Sequence, residues 1–401
     1  MTSSTGIDRD RRAGHRHHGA SLSGALGGRD NALNFLRLVM AATVILGHSS
    51  PLGGFGLDWL EIFADSAVDG FFVLSGFLIA GSRMRLGLPA YLWRRTLRIM
   101  PAFWVCIVVV AFVFAPLAGL FPGEEYIRQS GIDYVVANSR LQITQWGIDN
   151  TLGTVPFPYE WNSSLWTLIY EFRAYLMAAV VLWLPPIRKH AAVLVPALAV
   201  ATGAAALASW NTGVSVIPYV DIDGTRFFAF FAGGMALHFL GGRLPSSLVA
   251  AGIASVAIVA LRVFSYAWYI GCTPLLLGYV LLVLGGRLPI RLGARNDISY
   301  GVYIYAFPVQ QMLALSGGHA LGVLGFAAVS TVLTIPLAWA SWKLVEQPAM
   351  KLRRLVPSHF PRRKPAEKAP PSLASATEPA AASGSAPEPP PGDLSSASDG
   401  S

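Results

Sequence analysis

The chain has 401 residues and a net charge of +8; 53% of the residues are hydrophobic and only 13% are charged. Soluble domains carry about twice that charged fraction, so the composition excludes an ordinary soluble globular protein. The basic residues lie between apolar runs and not on an aromatic-rich surface, which argues against nucleic acid as a partner. Cys106 and Cys272 both lie within apolar stretches, so the sequence predicts neither a disulfide framework nor a metal site.

The first 30 residues are rich in Arg, Gly, Ser and His and lack the apolar segment that a signal peptide needs. We predict that residues 1–30 form a disordered cytoplasmic segment. His15, His17 and His18 form a cluster that could bind a metal ion, but the flanking Gly and Arg residues favour a solvated tail.

Apolar runs long enough to cross a bilayer recur from residue 33 onward. The predicted fold class is therefore all-α, a polytopic membrane helical bundle of about ten transmembrane helices. These helices are predicted near residues 33–51, 67–82, 100–120, 164–184, 191–209, 226–241, 247–263, 267–284, 298–315 and 320–342.

The basic residues indicate the orientation of these helices. With the N-terminus inside, the inner segments hold most of the Arg and Lys residues, whereas the outer loops hold several Asp and Glu residues and only a few Arg. This asymmetry predicts a multi-pass protein of the inner cell membrane with both termini cytoplasmic. Residues 353–401, rich in Pro, Ala and Ser, are predicted to be a disordered tail, which leaves residues 31–352 as the membrane domain. The role of the largest outer segment, residues 121–163, stays open.

The first span carries two ionisable residues, Arg37 and His48, and such residues inside a membrane indicate function. They are separated by eleven residues, so they share one helix face and lie about 16.5 Å apart along the axis. Histidine can accept or donate a proton near neutral pH. The alternatives are that Arg37 extends to the inner interface and that His48 is an interfacial residue wetted by the outer loop.

The fourth span carries Glu171, about seven residues from its outer edge and hence roughly 10 Å deep. We expect Glu171 to lie in the same half of the membrane as His48. It could belong to the site or only pair with a cation such as Arg173 or Arg226. Asp69, at the outer start of the second span, is a candidate orienting partner for His48.

Arg95 and Arg98 lie between the second and third spans and are three residues apart, so on a helix they point the same way. Paired guanidiniums suit bidentate contact with phosphates. The alternative is the ordinary positive charge of an inner loop.

Several segments, in order and spacing, resemble the bacterial membrane O-acyltransferase family often called acyltransferase type 3. The resemblance covers roughly residues 31–352. Its segments are the Arg37-to-His48 pattern, Asp69-Gly-Phe-Phe-Val-Leu-Ser75-Gly76-Phe77, Arg94-Arg95-Thr-Leu-Arg98-Ile-Met-Pro101, Ser164-Leu-Trp166-Thr-Leu-Ile-Tyr-Glu171, Ile298-Ser299-Tyr300-Gly301 and Glu346-Gln-Pro348.

The resemblance implies a ten-helix enzyme that passes an acyl group, commonly acetyl, from cytoplasmic acyl-coenzyme A to a hydroxyl of a carbohydrate or glycolipid. The coenzyme is then a co-substrate and no cofactor stays bound. Proteins of polysaccharide biosynthesis are the implied partners. The resemblance implies two catalytic residues: His48, which matches the essential histidine, and Glu171, which matches the acidic residue of the fourth span. Arg95 and Arg98, together with Arg37, match the residues for the donor. The residues implied to shape the site are Asp69, Ser75, Gly76, Phe77 and Trp166.

Two features depart from the family pattern. Ala306 stands where many relatives have a histidine, and a fused extracytoplasmic esterase-like domain is not expected here. His48 could act as a general base or carry the acyl group itself. Two other functions stay open from the residues: acylation of a small molecule or lipid inside the cell, and a transporter or glycan exporter. Transporters often contain inverted repeats, and we find none.

Overall fold

A computed structural model of the chain describes residues 21–27, 31–290 and 296–357. These residues form no β-strand, which confirms the predicted all-α class. The helices of seven or more residues are α1 Leu33–Gly53, α2 Glu61–Arg85, α3 Leu88–Val109, α4 Arg128–Asn138, α5 Leu168–Val181, α6 Ala191–Thr212, α7 Ile222–Leu240, α8 Leu248–Phe264, α9 Tyr266–Cys272, α10 Pro274–Arg287, α11 Ser299–Leu315 and α12 Gly322–Ser341.

Each of the ten predicted helices corresponds to a helix in the structure. The boundaries differ at two places, the start of α3 and the break between α9 and α10. Helix α3 begins at Leu88, with a proline in its first turn, so Arg94 to Arg98 lie within a long helix and not in a loop. The eighth predicted helix is broken into α9 and α10, which meet at 63°. The break occurs at Pro274, whose missing N–H and ring prevent a continuous helix.

Five helical segments of the described chain are long and apolar enough to cross a membrane. These segments are Leu33–Gly53, Asp58–Arg85, Leu88–Ala118, Ala191–Thr212 and Gly318–Leu355, and the bent pair of α9 and α10 makes a sixth when taken as one span. The protein is therefore a polytopic helical membrane protein. The count of ten spans is not confirmed, since α5, α8 and α11 have at most 17 residues each.

Two glycines bring α2 and α7 into backbone contact at the centre of the bundle. A Cβ atom on Gly76 would lie 2.0 Å from the carbonyl oxygen of Phe231, and one on Gly234 would lie 1.9 Å from that of Val73. Small residues allow membrane helices to approach this closely, and dispersion contacts then stabilise the pair. Gly76 therefore allows the close packing of α2 on α7, and its role in shaping the site stays a prediction.

The ends of the described chain differ in part from the predicted disorder. Residues Leu22–Ala25 form a short helix in which Leu22 is fully buried, and Leu22 N donates to Leu244 O at 2.8 Å. A 3₁₀ turn at Leu352–Leu355 extends into the predicted tail. Residues 1–20, with the three histidines, and residues 358–401 lie outside the described residues.

Candidate active site

A pocket with about 460 Å³ of empty space, part of it open to solvent, lies between α1, α2, α5 and α11. Its polar lining includes Arg37, Ser75 and Glu171, three residues that the sequence analysis named separately. Glu171 Oε1 accepts hydrogen bonds from Ser75 Oγ at 3.2 Å and from the hydroxyl of Tyr175 at 2.5 Å. We call this the central pocket.

Glu171 lies level with Arg37 and not with His48, so its expected depth is wrong. Helices α1 and α2 run antiparallel, with Gly47 against Ala64 and Met40 against Gly70, which brings Ser75 level with Arg37. The depth estimate failed because the chain enters the bundle before α5 begins. Asn162 Nδ2 already donates to Ile304 O of α11 at 2.7 Å, and residues Ser163–Thr167 form a 3₁₀ helix.

His48 lies in the last two turns of α1, at the end opposite to the central pocket. Its half-buried ring packs edge-on against Phe307, with the ring centroids 5.5 Å apart. Among the described residues its ring nitrogens have no hydrogen-bond partner, so both are available to a ligand. Phe307 in turn packs against Phe157, which belongs to the predicted outer segment 121–163. That segment therefore covers the histidine end of α1.

Asp69 is fully buried and is bound by residues other than His48. Its two carboxylate oxygens accept hydrogen bonds from Arg226 Nε at 2.9 Å and Nη2 at 3.0 Å, and Tyr269 donates a third at 2.8 Å. A buried carboxylate needs such partners because desolvation of an unpaired charge is costly. Asp69 therefore does not bond His48, contrary to the expectation from spacing.

Arg98 is held between two carboxylates that come from distant parts of the chain. Arg98 Nη2 lies 2.6 Å from Asp297 Oδ2, and Arg98 Nη1 lies 3.3 Å from Glu346 Oε2. Asp297 Oδ2 also lies 3.3 Å from Arg37 Nη1. Burial alone would raise the pKa of Asp297, but Arg37, Arg98 and the hydrogen bonds from Ser299 outweigh it and hold that pKa well below its usual range. We call these four charged residues the Arg98 network.

Arg95 has different surroundings from Arg98. Its guanidinium lies over the ring of Tyr175 at 5.8 Å, and it forms no salt bridge with any described residue. Its Nε atom is buried without a hydrogen-bond partner. The positive charge of Arg95 is therefore available to an anionic ligand, whereas that of Arg98 is already neutralised.

Phe77 and Trp166 lie outside the lining of the central pocket. Phe77 packs edge-on against His238, and Trp166 packs against Tyr170 and Phe227. Both side chains stabilise the surrounding helices. Within the described residues, no group of three or more His, Cys, Asp or Glu side chains could hold a metal ion.

Three residues of this region were not assigned a role from the sequence: Asp297, Glu346 and Tyr175. Glu346 was part of a motif without a role, and Asp297 directly precedes a predicted span. The sequence feature that could have identified Asp297 and Glu346 is an acidic side chain next to or within an apolar helix, because such a side chain implies a buried cation as its partner.

Comparisons with known proteins agree with this architecture. The chain matches the family described as "Acyltransferase domain" over residues 30–343. That match covers most of the chain, and the chain belongs to this family of acyltransferases. No solved structure matches it significantly.

Two characterised relatives align over most of their own length. Nodulation protein 10 of Rhizobium leguminosarum bv. viciae is 29% identical, over 81% of this chain and 95% of that protein. The O-acetyl transferase of Shigella phage Sf6 is 27% identical, over 80% of this chain and 96% of that protein. The protein is thus a membrane O-acyltransferase, an enzyme that uses an acyl donor as co-substrate, and the alternative of a transporter is set aside.

Proposed function

We propose that the protein transfers an acyl group, with acetyl as the leading case, from acyl-coenzyme A to a hydroxyl of a cell-surface or exported carbohydrate. The observation that carries this proposal is the two-ended helix α1. Arg37 faces the central pocket near one end of this helix. His48, about 16.5 Å further along the axis, lies beneath the outer segment and has no hydrogen-bond partner among residues 21–27, 31–290 and 296–357. Coenzyme A carries its thioester at the end of a long flexible arm, which suits a site whose two ends are separated in this way.

The donor end is proposed at Arg95 and the central pocket. Arg95 offers an unneutralised guanidinium to the phosphates of the coenzyme. Arg98, held by Asp297 and Glu346, fixes the first turns of α3 so that Arg95 is presented in one orientation. The acyl-bearing arm then passes Arg37, Ser75 and Glu171 on its way toward His48.

The proposed reaction joins the acceptor oxygen to the acyl carbon. The hydroxyl oxygen attacks the thioester carbonyl while His48 takes the hydroxyl proton, the C–O bond forms, and the C–S bond breaks. The thiolate leaves and takes up the proton, which yields the ester and free coenzyme A. General-base assistance of this kind contributes about 10²–10⁴-fold. A covalent acyl-histidine is the other route, and rapid quenching followed by mass spectrometry of the His48 peptide separates the two.

The proposed location is the inner cell membrane with both termini cytoplasmic. The support is the excess of Arg and Lys on one set of loops, which includes the Arg83 and Arg85 end of α2. In this orientation Arg95 meets the cytoplasmic donor, and His48 meets an acceptor at the outer face.

The test uses purified full-length protein in detergent, acetyl-coenzyme A and surface polysaccharide from which the O-acetyl groups have been removed chemically. We expect wild-type protein to release coenzyme A and to acetylate the polysaccharide. His48→Gln should lose both by at least about a hundredfold while eluting as a folded protein. His319→Gln, which alters an exposed histidine, is the matched control. Undiminished transfer by His48→Gln would refute the role of His48, and acetylation of lipids or small molecules instead of polysaccharide would refute the acceptor class.

A further inference from the structure

The outer segment that covers His48 is rigidly built. The carboxylate of Glu124 accepts hydrogen bonds from Gly153 N at 3.1 Å, from Thr154 N at 3.0 Å and from Thr154 Oγ1 at 2.6 Å. From α11, Gln311 Nε2 donates to the carbonyl oxygens of Phe157 at 2.8 Å and Glu160 at 2.7 Å. These bonds fix residues 153–160 at both ends of the loop, so the loop presents its side chains in fixed positions.

The same loop lies directly against the histidine end of α1. Pro156 packs on Gly54, the residue that caps α1, since a Cβ atom there would lie 3.0 Å from the proline ring. Phe157 packs edge-on against Phe307, and Phe307 packs edge-on against His48. Pro156 and Phe157 therefore join this loop to the histidine end of α1.

Tyr159 has a strained backbone that its burial does not explain. Its φ is +64°, a left-handed conformation that is an outlier for a bulky residue. Leu141 and Leu152 share this conformation, but both are fully buried, and core packing offsets their strain. Tyr159 is 64% exposed. Exposed Tyr219 is left-handed as well, so what distinguishes Tyr159 is the combination of this backbone with its place on the loop that covers His48.

The backbone of Tyr159 is held by contacts within the outer segment. The carbonyl oxygen of Tyr159 lies so close to Gly147 that a Cβ atom there would be 2.4 Å away, and Tyr159 N donates to Leu152 O at 3.1 Å. The ring lies beside Gly153, where a Cβ atom would be 3.6 Å from its Cε1 atom. The ring is thus supported on one side by a residue without a side chain and is largely open on the other.

We propose that Tyr159 is the stacking platform for a sugar ring of the acceptor and thereby selects the acceptor. The electron-rich face of a tyrosine attracts the C–H face of a sugar, which carries partial positive charge. The same outer segment exposes Asp149, Asn150 and Thr154, and the half-buried Glu160 follows Tyr159 in sequence, so the segment offers polar groups that suit the hydroxyls of a sugar. This inference rests on the proposed carbohydrate acceptor.

The test compares Tyr159→Gly with Tyr159→Trp in the polysaccharide assay. Glycine removes the ring and relaxes the left-handed backbone, so the loop should keep its fold. We expect Tyr159→Gly to raise the KM for de-O-acetylated surface polysaccharide roughly three- to tenfold, a stacking-sized effect, while kcat and the KM for acetyl-coenzyme A stay unchanged. Tyr159→Trp keeps an aromatic ring at this position and should therefore have the wild-type KM for the polysaccharide. Tyr219→Gly is the matched control, because Tyr219 is also exposed and left-handed but lies on the loop between α6 and α7.

The outcomes separate this inference from the function on which it rests. A wild-type protein that transfers nothing to polysaccharide would refute the acceptor class and the inference together. Wild-type transfer combined with an unchanged acceptor KM in Tyr159→Gly would refute the inference alone. The inference would also be refuted if Tyr219→Gly raised the acceptor KM as much as Tyr159→Gly does. The same holds if the acceptor KM of Tyr159→Trp were as high as that of Tyr159→Gly.

Discussion

Arg98 Nη2 lies 2.6 Å from Asp297 Oδ2, and this pair joins the first turns of α3 to the segment that precedes α11. The same carboxylate oxygen lies 3.3 Å from Arg37 of α1. One acidic side chain therefore sets the positions of two cations on separate helices. Asp297 is a positioning residue for the central pocket, because Arg37 lines that pocket and Asp297 does not.

We expect Asp297→Asn to lower the free energy of unfolding by about 1.5–3 kcal/mol at pH 7, since two charge-assisted contacts lose their anion. The pKa of Asp297 is depressed in the folded protein, so its stabilising contribution is complete above the unfolded value of about 3.9 and is lost as the pH falls through the folded pKa. The part of the difference between variant and wild type that is due to Asp297 should therefore shrink below about pH 4.

Thermal unfolding in detergent at several pH values measures this difference. Asp133→Asn is the control, because Asp133 is exposed on α4 and accepts a hydrogen bond from Gln129 one turn away. A difference that grows as the pH falls from 5 to 3 would contradict the assignment of Asp297 as a paired anion.

Arg95 and Arg98 should respond differently to substitution. Arg95→Ala removes a guanidinium without a carboxylate partner, so we expect the KM for acetyl-coenzyme A to rise roughly tenfold or more while the melting temperature stays near that of wild type. Arg98→Ala leaves Asp297 and Glu346 without their shared cation, so we expect a lower melting temperature. Steady-state kinetics and thermal unfolding of both variants measure the two effects. Arg140→Ala controls for the loss of one positive charge, and an unchanged donor KM in Arg95→Ala would exclude the proposed donor end.

Gly76→Ala should destabilise the protein because its added Cβ atom meets the carbonyl oxygen of Phe231 at 2.0 Å. Helices α2 and α7 would have to separate, and overpacking of this kind costs about 1–3 kcal/mol or more. Gly252→Ala is the matched control, since nothing lies within 4 Å of its added atom and alanine favours the helix by about 1 kcal/mol. Size-exclusion chromatography after graded heating compares the two, and equal stability of both variants would contradict the backbone contact.

The sequence predicted the helices well and the partners of the charged residues poorly. Apolar runs mark helices because the bilayer excludes unpaired backbone groups, and Arg37 and His48 lie on one continuous helix as expected. Periodicity along one helix contains no information about a residue on another helix. The partner of Asp69, Arg226, lies 157 residues away in sequence. The α-helical rise misplaced Glu171 because the preceding residues Ser163–Thr167 form a 3₁₀ helix, which rises further per residue.

The pair of Asp69 and Arg226 should behave as a unit. Asp69→Leu removes the carboxylate that accepts two hydrogen bonds from Arg226 and leaves this buried guanidinium with the more distant carboxylate of Asp65, 3.9 Å away, so we expect a loss of about 3 kcal/mol. The double variant Asp69→Leu with Arg226→Met should lose less than the sum of the two single changes, because no buried charge is left unpaired. A double-mutant cycle of unfolding free energies measures this coupling. Additive losses would contradict it, and normal acyl transfer by the double variant would rule out an orienting role of Asp69 toward His48.

The Arg98 network also constrains how the protein is made. Asp297 follows Arg98 by 199 residues and Glu346 follows it by 248, and Glu346 lies at the end of the last long helix. During synthesis Arg98 enters the membrane region long before either acid has left the ribosome, so its charge must be held in water, by lipid headgroups or by an insertion factor until then. A nascent chain that stops before α12 contains Asp297 but lacks Glu346, so Arg98 would have one of its two carboxylate partners and the network would stay incomplete.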